Sequence, residues 1–360
     1  MVMNNSKNIL NYMFGKGAID NLASILDAKN SNNDYVIYYI DEYFQNSNLV
    51  KNLPINKNDE LFFVQTKDEP KTQFINKFRD ILVDKNKSIP KAIVAIGGGA
   101  TLDTGKAVAN LLTNIGNAED YQGWDLVKNK GIYKIGIPTL SGTGAEASRT
   151  CVMTNAKSGL KLGMNSDFTI YDQLILDPNL TKTVPKEQYF FSGMDTYLHC
   201  IESLNGEFRN AIGDAFSHQA IALCREVFLS DDMMSDENRE KLMVASYLGG
   251  CAIANSFVGI IHPFSAGLSV VLDTHHCIGN CITMNAMEEF YPKEYKEFFD
   301  MAKKQDIEVP KGIGANLSDE TYKALFDSTV IHEKPLSNAL GNNFKEILTL
   351  EKVTQIFKRM

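Results

Sequence analysis

Lys91-Ala-Ile-Val-Ala-Ile runs without a break into Gly97-Gly98-Gly99, and Ala100-Thr-Leu-Asp-Thr-Gly-Lys-Ala-Val-Ala109 follows with the character of a helix. An apolar run of that length, bounded by glycine, reads as a strand buried on both faces, the mark of a parallel sheet. Glycines at the strand end let ligand oxygens approach backbone N–H groups, and the start of a helix favours negative charge. The strand–glycine–helix step therefore predicts an α/β domain with a phosphate cradle, or else a bare tight turn. A P-loop is excluded: it needs glycine at position 100 and Ser or Thr at 107, and both are alanine.

Residues 8–28 read as a short strand or turn and then a helix. Tyr35-Val-Ile-Tyr-Tyr-Ile, Glu60-Leu-Phe-Phe-Val-Gln, Tyr133-Lys-Ile-Gly-Ile-Pro and a segment within 166–176 read as further strands, and residues 71–85 as a helix. Asp41 closes the first of these strands. There it can take a ribose hydroxyl pair or cap the following turn. Residues 116–129, with the only tryptophan, Trp124, read as a surface excursion, and 231–239 as an exposed loop. Gly142-x-Gly144-x-x-Ala147, with Asp167 downstream, formally matches a dinucleotide fingerprint, but reads better as a second Gly/Ser/Thr loop on the same nucleotide site. From Pro185 onward helical periodicity replaces strands, as in 215–229, 240–257 and 280–290. The expected fold is a Rossmann-like parallel α/β nucleotide-binding domain over 1–184 and an all-α metal-binding domain over 185–360, with ligands in the cleft between them.

The helical half carries Met194-Asp195-Thr-Tyr-Leu-His199 on a predicted helix over 187–204, where residues four apart share a face. Such a pair is by itself either a packing pair or half of a metal site. His262, in the apolar run Val258-Gly-Ile-Ile-His-Pro-Phe, and His276 complete one carboxylate and three imidazoles, a set suited to Fe(II) or Zn(II). The six cysteines, at 151, 200, 224, 251, 277 and 281, form no C-x-x-C pair and read as free thiols. Cys200 and Cys277 each follow a proposed ligand directly and are expected to point away from the ligand face. A net charge of -8 speaks against nucleic acid or an anionic membrane as partner. The polar start, Met1-Val-Met-Asn-Asn-Ser-Lys, and the lack of an apolar run of about 18 residues point to a soluble, cytoplasmic protein.

Together these motifs resemble the iron-containing, group III alcohol dehydrogenase family over essentially the whole chain. Gly97-Gly-Gly-Ala-Thr-Leu-Asp-Thr-Gly-Lys106 is similar to its GGGSxxDxxK motif, with Ala100 for the usual serine. Pro138-Thr-Leu-Ser-Gly-Thr-Gly-Ala-Glu146 resembles its P-T-x-x-G-T-x-x-E loop, and Asp195, His199, His262 and His276 match its metal set in order. The resemblance implies a dehydroquinate synthase-like architecture, a homodimer, one divalent metal and NAD rather than NADP. Asp41 would sit on the ribose and repel a 2′-phosphate. Gly98 and Gly99 would cradle the pyrophosphate, Asp103 would support the turn, Thr139, Ser141 and Thr143 would line the site, and Lys161 would contact the cofactor. One departure stands out: the histidine that family members often carry one turn after the third ligand is Ala266 here. That leaves Ser265 or a water chain for proton release.

The implied activity is hydride transfer between a metal-bound primary alcohol and NAD. Lys7-Asn-Ile-Leu-Asn-Tyr-Met-Phe-Gly-Lys-Gly and Asp120-Tyr-Gln-Gly-Trp-Asp-Leu-Val are similar to a branch that oxidises the C8 hydroxyl of 3-deoxy-manno-octulosonate. That step precedes a transamination in lipopolysaccharide sugar synthesis, which would link the enzyme to an aminotransferase. Arg149 and Arg209 would then be candidates for the substrate carboxylate, or else ordinary salt-bridge arginines. The alternatives are a short-chain alcohol, diol or lactaldehyde dehydrogenase, a lyase or polyol-phosphate dehydrogenase of the same fold, and a non-catalytic nucleotide-binding regulator.

Overall fold

The computed structural model describes residues 7–29, 35–66, 70–84 and 89–360. The polar start through Ser6 and Lys85, the last residue of the expected helix over 71–85, lie outside the described residues. The described residues form two compact units: those within 7–140 together with 145–183, and 184–360 with the short segment 141–144.

The first unit is built on a six-stranded sheet in the order β1-β9-β6-β4-β2-β3. Its strands are β1 (Asn11–Phe14), β2 (Val36–Asp41), β3 (Glu60–Val64), β4 (Ala92–Gly97), β6 (Lys134–Pro138) and β9 (Gln173–Leu176). Every pairing is parallel. All side chains of β2 and β4 are buried, as a sheet covered on both faces requires. The strand period divides them: Ile37, Tyr39 and Ile93 enter one apolar core, while Val36, Tyr38, Ile40, Val94 and Ile96 enter the other. Each such buried side chain contributes about 1.5–3 kcal/mol relative to exposure. Helices α1 (Leu22–Asp27), α2 (Asn48–Lys51), α3 (Thr72–Asp84) and α4 (Gly99–Leu111) connect the strands.

A second, three-stranded sheet was not foreseen. It holds β5 (Gly123–Trp124), β8 (Lys161–Asn165) and β7 (Thr150–Thr154), in the order β5-β8-β7. The stretch read as a surface excursion thus contributes an edge strand, and Trp124 remains exposed. The segment 166–176 is strand only over β9, because Asp167–Thr169 turn as a 3-10 helix capped by Ser166.

The second unit is helical. It contains α5 (Lys186–Leu204), α6 (Ala211–Phe228), α7 (Asp236–Ser256), α8 (Ile261–Leu272) and α9 (His276–Thr283), followed by five shorter or peripheral helices between Pro292 and Phe357. One apolar core runs through it, with Phe190, Met194, Tyr197, Leu198, Phe228, Phe264 and Phe298 at its centre. The helix expected over 280–290 begins earlier and ends at Thr283, continuing only as a 3-10 turn to Ala286. No single helix among the described residues is long and apolar enough to cross a membrane. The six cysteines are all buried, and none is in a disulfide.

Candidate active site

In the helical unit, α5 presents Asp195, His199 and Glu202 at intervals of four and three residues, so all three share one buried face. Asp195 is fully buried. His199 Nε2 stands 3.7 Å from its Oδ1, His262 Nε2 stands 3.3 Å from the same oxygen, and His276 Nε2 stands 3.6 Å from Oδ2. His262 enters from the first turn of α8 and His276 is the first residue of α9. The His199 and His262 rings stack with centroids 4.5 Å apart. Donor atoms of Asp195, His262 and His276 all lie within 4.8 Å of one another, and His199 flanks that trio. His199 Nδ1 has no hydrogen-bond partner among the described residues. A buried anionic oxygen pair ringed by imidazole nitrogens is a donor set that fits a divalent cation.

Two polar residues that the sequence reading missed complete the surroundings. Asn280, one turn beyond His276, donates from Nδ2 to Asp195 Oδ1 at 2.6 Å, and Nδ2 lies 3.2 Å and 3.4 Å from Nε2 of His262 and His276. Glu202 contacts His262 Nδ1. For Glu202 the i+7 spacing on the predicted helix over 187–204 was the available signal, whereas Asn280 stands four residues after His276 on a turn that the expected helix over 280–290 did not include. Cys277 differs from expectation: its Sγ lies 4.0 Å from Asp195 Oδ2, so the thiol faces the ligands. The α9 helix begins at His276, and its first turn places the thiol beside the carboxylate.

The electrostatics follow from this crowding. Burial raises the Asp195 carboxyl, but the imidazoles outweigh it and hold the group well below the usual carboxylate range. Burial lowers His199 to about 4. Burial also lowers His262, yet the carboxylates of Glu202 and Asp195 outweigh it and raise the ring to about 10. A cation must therefore displace a proton from His262 at neutral pH. Metal affinity is expected to rise about tenfold per pH unit between about pH 7 and 9. Zinc titrations of metal-free protein that level off near an ordinary imidazole pKa would contradict this. The raised His262 also stabilises the metal-free fold below its unfolded value of about 6.5, a contribution lost as pH rises through about 10.

In the α/β unit, β2 is flanked by β3 on one side and β4 on the other, which makes it the point where strand order reverses. Ligands of open α/β sheets bind beyond the carboxyl strand ends at such a point. Ile40 lies opposite Ile96 and Gly97 opposite Pro138, so Asp41, the glycine turn and Thr139 occupy adjacent strand ends. Thr139 N–H donates to the Gly97 carbonyl at 3.0 Å. Gly98 is the N-cap of α4, and Gly99 opens that helix. A Cβ on Gly97 would sit 2.6 Å from Thr101 Cβ, and one on Gly98 would sit 2.8 Å from Leu140 Cδ1.

Asp41 Oδ1 accepts from Tyr43 N–H at 3.0 Å and Thr66 Oγ1 at 3.3 Å, so the residue does cap the following turn. Burial raises its carboxyl, and these two bonds act against the rise. Asp103 ties α4 to β7 through Val152 N–H at 2.8 Å. Lys161 is buried at the start of β8 in the smaller sheet.

Ser141 and Thr143 fall in the segment that packs within the helical unit. Gly142 N–H donates to Ser246 Oγ at 2.8 Å, and its carbonyl accepts from Thr196 Oγ1 at 2.7 Å. A Cβ on Gly142 would lie 1.6 Å from the Ser192 carbonyl oxygen, and one on Gly144 would lie 2.6 Å from Gly250 Cα. These glycines therefore serve close backbone packing against α5 and α7.

The profile of the iron-containing alcohol dehydrogenases matches residues 10–178, and that of the family's C-terminal region matches 190–324. The chain belongs to the iron-containing alcohol dehydrogenase family. Among curated proteins it is similar to a sulfoacetaldehyde reductase of Bilophila wadsworthia, 36% identical over 188 residues, covering 51% of this chain and 48% of that one. It is also similar to an NAD-dependent methanol dehydrogenase of Bacillus methanolicus, 29% identical over 229 residues, covering 63% of this chain and 59% of that one. The matched stretch thus spans about half the length of these curated relatives. Among solved structures, a 1,3-propanediol oxidoreductase superposes with a TM-score of 0.82 at 20% identity, covering 99% of both chains. A sulfoacetaldehyde reductase from Bifidobacterium kashiwanohense, in complex with NAD+, gives 0.82 at 20% identity over 99% of this chain and 98% of that one. At that identity these two establish the fold: a parallel α/β domain followed by an all-α domain, as in other iron-containing alcohol dehydrogenases.

Proposed function

We propose that the chain is a metal-dependent, NAD-linked alcohol dehydrogenase that interconverts a small primary alcohol and its aldehyde. The observation that carries this reading is the convergence of three imidazole Nε2 atoms on the buried Asp195 carboxylate. A divalent ion held there supplies Lewis acidity toward an alcohol oxygen, and NAD supplies the hydride acceptor. Asp195 brings the compensating negative charge, and burial keeps water from competing for it. On the cofactor side, Gly98, Gly99 and the start of α4 offer N–H groups and a positive helix end to a pyrophosphate. The Asp41 carboxylate at the neighbouring strand end suits a ribose hydroxyl pair and disfavours a 2′-phosphate. Lys161, Thr139, Ser141 and Thr143 remain proposed cofactor residues on sequence grounds.

Ala266 has no titratable group, and Ser265 directs its hydroxyl proton at the His276 carbonyl at 3.3 Å. That bond leaves a water chain as the better of the two proposed routes for the alcohol proton. As an edge strand exposing Tyr12 and Phe14, β1 suits the homodimer proposed with this reading.

The finer proposal, oxidation of the C8 hydroxyl of 3-deoxy-manno-octulosonate, needs a cation for the substrate carboxylate. Arg149 is already paired with Asp125 and with Asp167, the latter at 3.1 Å, and Arg209 with Asp214 at 2.9 Å. Neither arginine favours the sugar acid over an uncharged alcohol. The test follows nicotinamide absorbance with metal-loaded enzyme: reduction of NAD with methanol, 1,3-propanediol and the sugar acid, and oxidation of NADH with lactaldehyde and sulfoacetaldehyde, in parallel. Turnover with at least one alcohol or aldehyde is expected. NAD binding without turnover of any of them would favour a regulatory protein instead.

A further inference from the structure

Among the buried titratable groups, Glu202 has no role assigned by the ligand set. It lies on α5 seven residues after Asp195 and three after His199, and its side chain is fully buried. Its two oxygens serve two different donors. Oε1 accepts from Ile261 N–H at 2.6 Å, with His262 N–H at 3.4 Å, and Oε2 contacts His262 Nδ1. Ile261 and His262 open α8, and the N-cap, Ile260, provides no side-chain cap. The carboxylate therefore does two things at once. It caps the positive end of α8 from a neighbouring helix, and it fixes the imidazole ring that this same turn carries. Gly259 makes room for this side chain, since a Cβ there would lie 3.3 Å from Glu202 Cβ and Cγ.

From this geometry we infer that Glu202 is the positioning residue for His262, holding the proton on Nδ1 so that Nε2 is the nitrogen that gives up its proton to a divalent ion. The inference rests on the proposed metal site. An ionised carboxylate accepts at both oxygens, so it satisfies the Ile261 N–H and the His262 Nδ1–H together. A glutamine has one accepting oxygen. If that oxygen faces Ile261, the amide N–H₂ faces Nδ1 and favours the tautomer with the proton on Nε2, which cannot ligate. If it faces Nδ1, two donors are forced together at the head of α8. Aspartate is one methylene too short to span both. Outer-shell carboxylates on ligating histidines act in this way elsewhere and are worth about 10–100-fold in metal affinity.

The test titrates zinc into metal-free wild type, Glu202→Gln and Glu202→Asp, with thermal melting of each metal-free protein alongside. Zinc affinity is expected to fall about 10–100-fold in Glu202→Gln, with Glu202→Asp recovering none of it. Zinc binding within threefold of wild type in a folded Glu202→Gln, even with a lowered melting point, would reduce Glu202 to a structural cap and overturn the inference. Wild type that binds no zinc would overturn the metal reading itself, a distinguishable failure. If Glu202→Gln does not fold, nitrogen-15 spectra of zinc-loaded wild type decide. The His262 Nδ1 proton should be the furthest downfield and slowest to exchange of the three ligand rings, and exchange as fast as that of His199 would refute the assignment.

Discussion

Asp195→Asn is expected to yield a folded protein that no longer retains a divalent ion. Asparagine keeps the shape of a fully buried side chain and removes the one negative charge toward which His199, His262 and His276 point. Losing an inner ligand should cost more than the roughly 100-fold that outer-shell partners cost. Without the ion, NAD-dependent turnover should disappear into background. Stability provides an independent readout. Zinc at about 100 times its dissociation constant should stabilise wild type by about 2.7 kcal/mol and leave the Asp195→Asn melting point unmoved. Elemental analysis of the purified variant checks the binding directly, and a full equivalent of metal in it would refute the site.

Gly142→Ala should be the most damaging single-methyl change in the segment 141–144. The added carbon would sit 1.6 Å from the Ser192 carbonyl oxygen and 2.2 Å from its carbon, both backbone of α5. No rotamer change relieves a clash with backbone, and the φ of 150° is one that L side chains rarely adopt. Either α5 or the loop must move. The expected cost is above about 4 kcal/mol, in the range of exceptional substitutions. Because Thr196 Oγ1 bonds the Gly142 carbonyl and Thr196 adjoins Asp195, metal affinity should fall together with stability. Chemical denaturation and zinc titration of Gly142→Ala would show both. A denaturation midpoint near wild type would mean that the loop can shift without cost.

The helix period made Asp195 and His199 readable as a pair, because four-residue spacing is a local property. The same helix carried Glu202 at a seven-residue spacing, but a glutamate looks like a solvated face until α8 is seen to begin against it. Asn280 was hidden for a similar reason: its distance to Asp195 depends on how α9 packs on α5. The Lys91–Gly99 step was legible because a buried parallel strand and its glycine turn are written in consecutive residues. By contrast, β7 and β8 were missed. Thr150-Cys-Val-Met-Thr and Lys161-Leu-Gly-Met-Asn are short and half polar, and what makes them strands is their pairing with each other, eleven residues apart in register at Val152 and Gly163. Nothing in Ser141-Gly-Thr-Gly144 itself distinguishes a loop that wraps a ligand from one that packs on helix backbone. Only the neighbours do, and Ser192, Ser246 and Gly250 are far away in sequence.

The placement of 141–144 inside the helical unit bears on any attempt to dissect the protein. A fragment starting at Val184 would carry all four proposed ligands, yet it would lack a plug that the native chain borrows from forty residues upstream. Ser246 and Thr196 would lose their backbone partners, and bare main chain on α5 and α7 would meet solvent. The metal centre is therefore encoded by a discontinuous stretch of polypeptide, and a minimal metalloprotein cut from this chain would have to bring that tetrapeptide along.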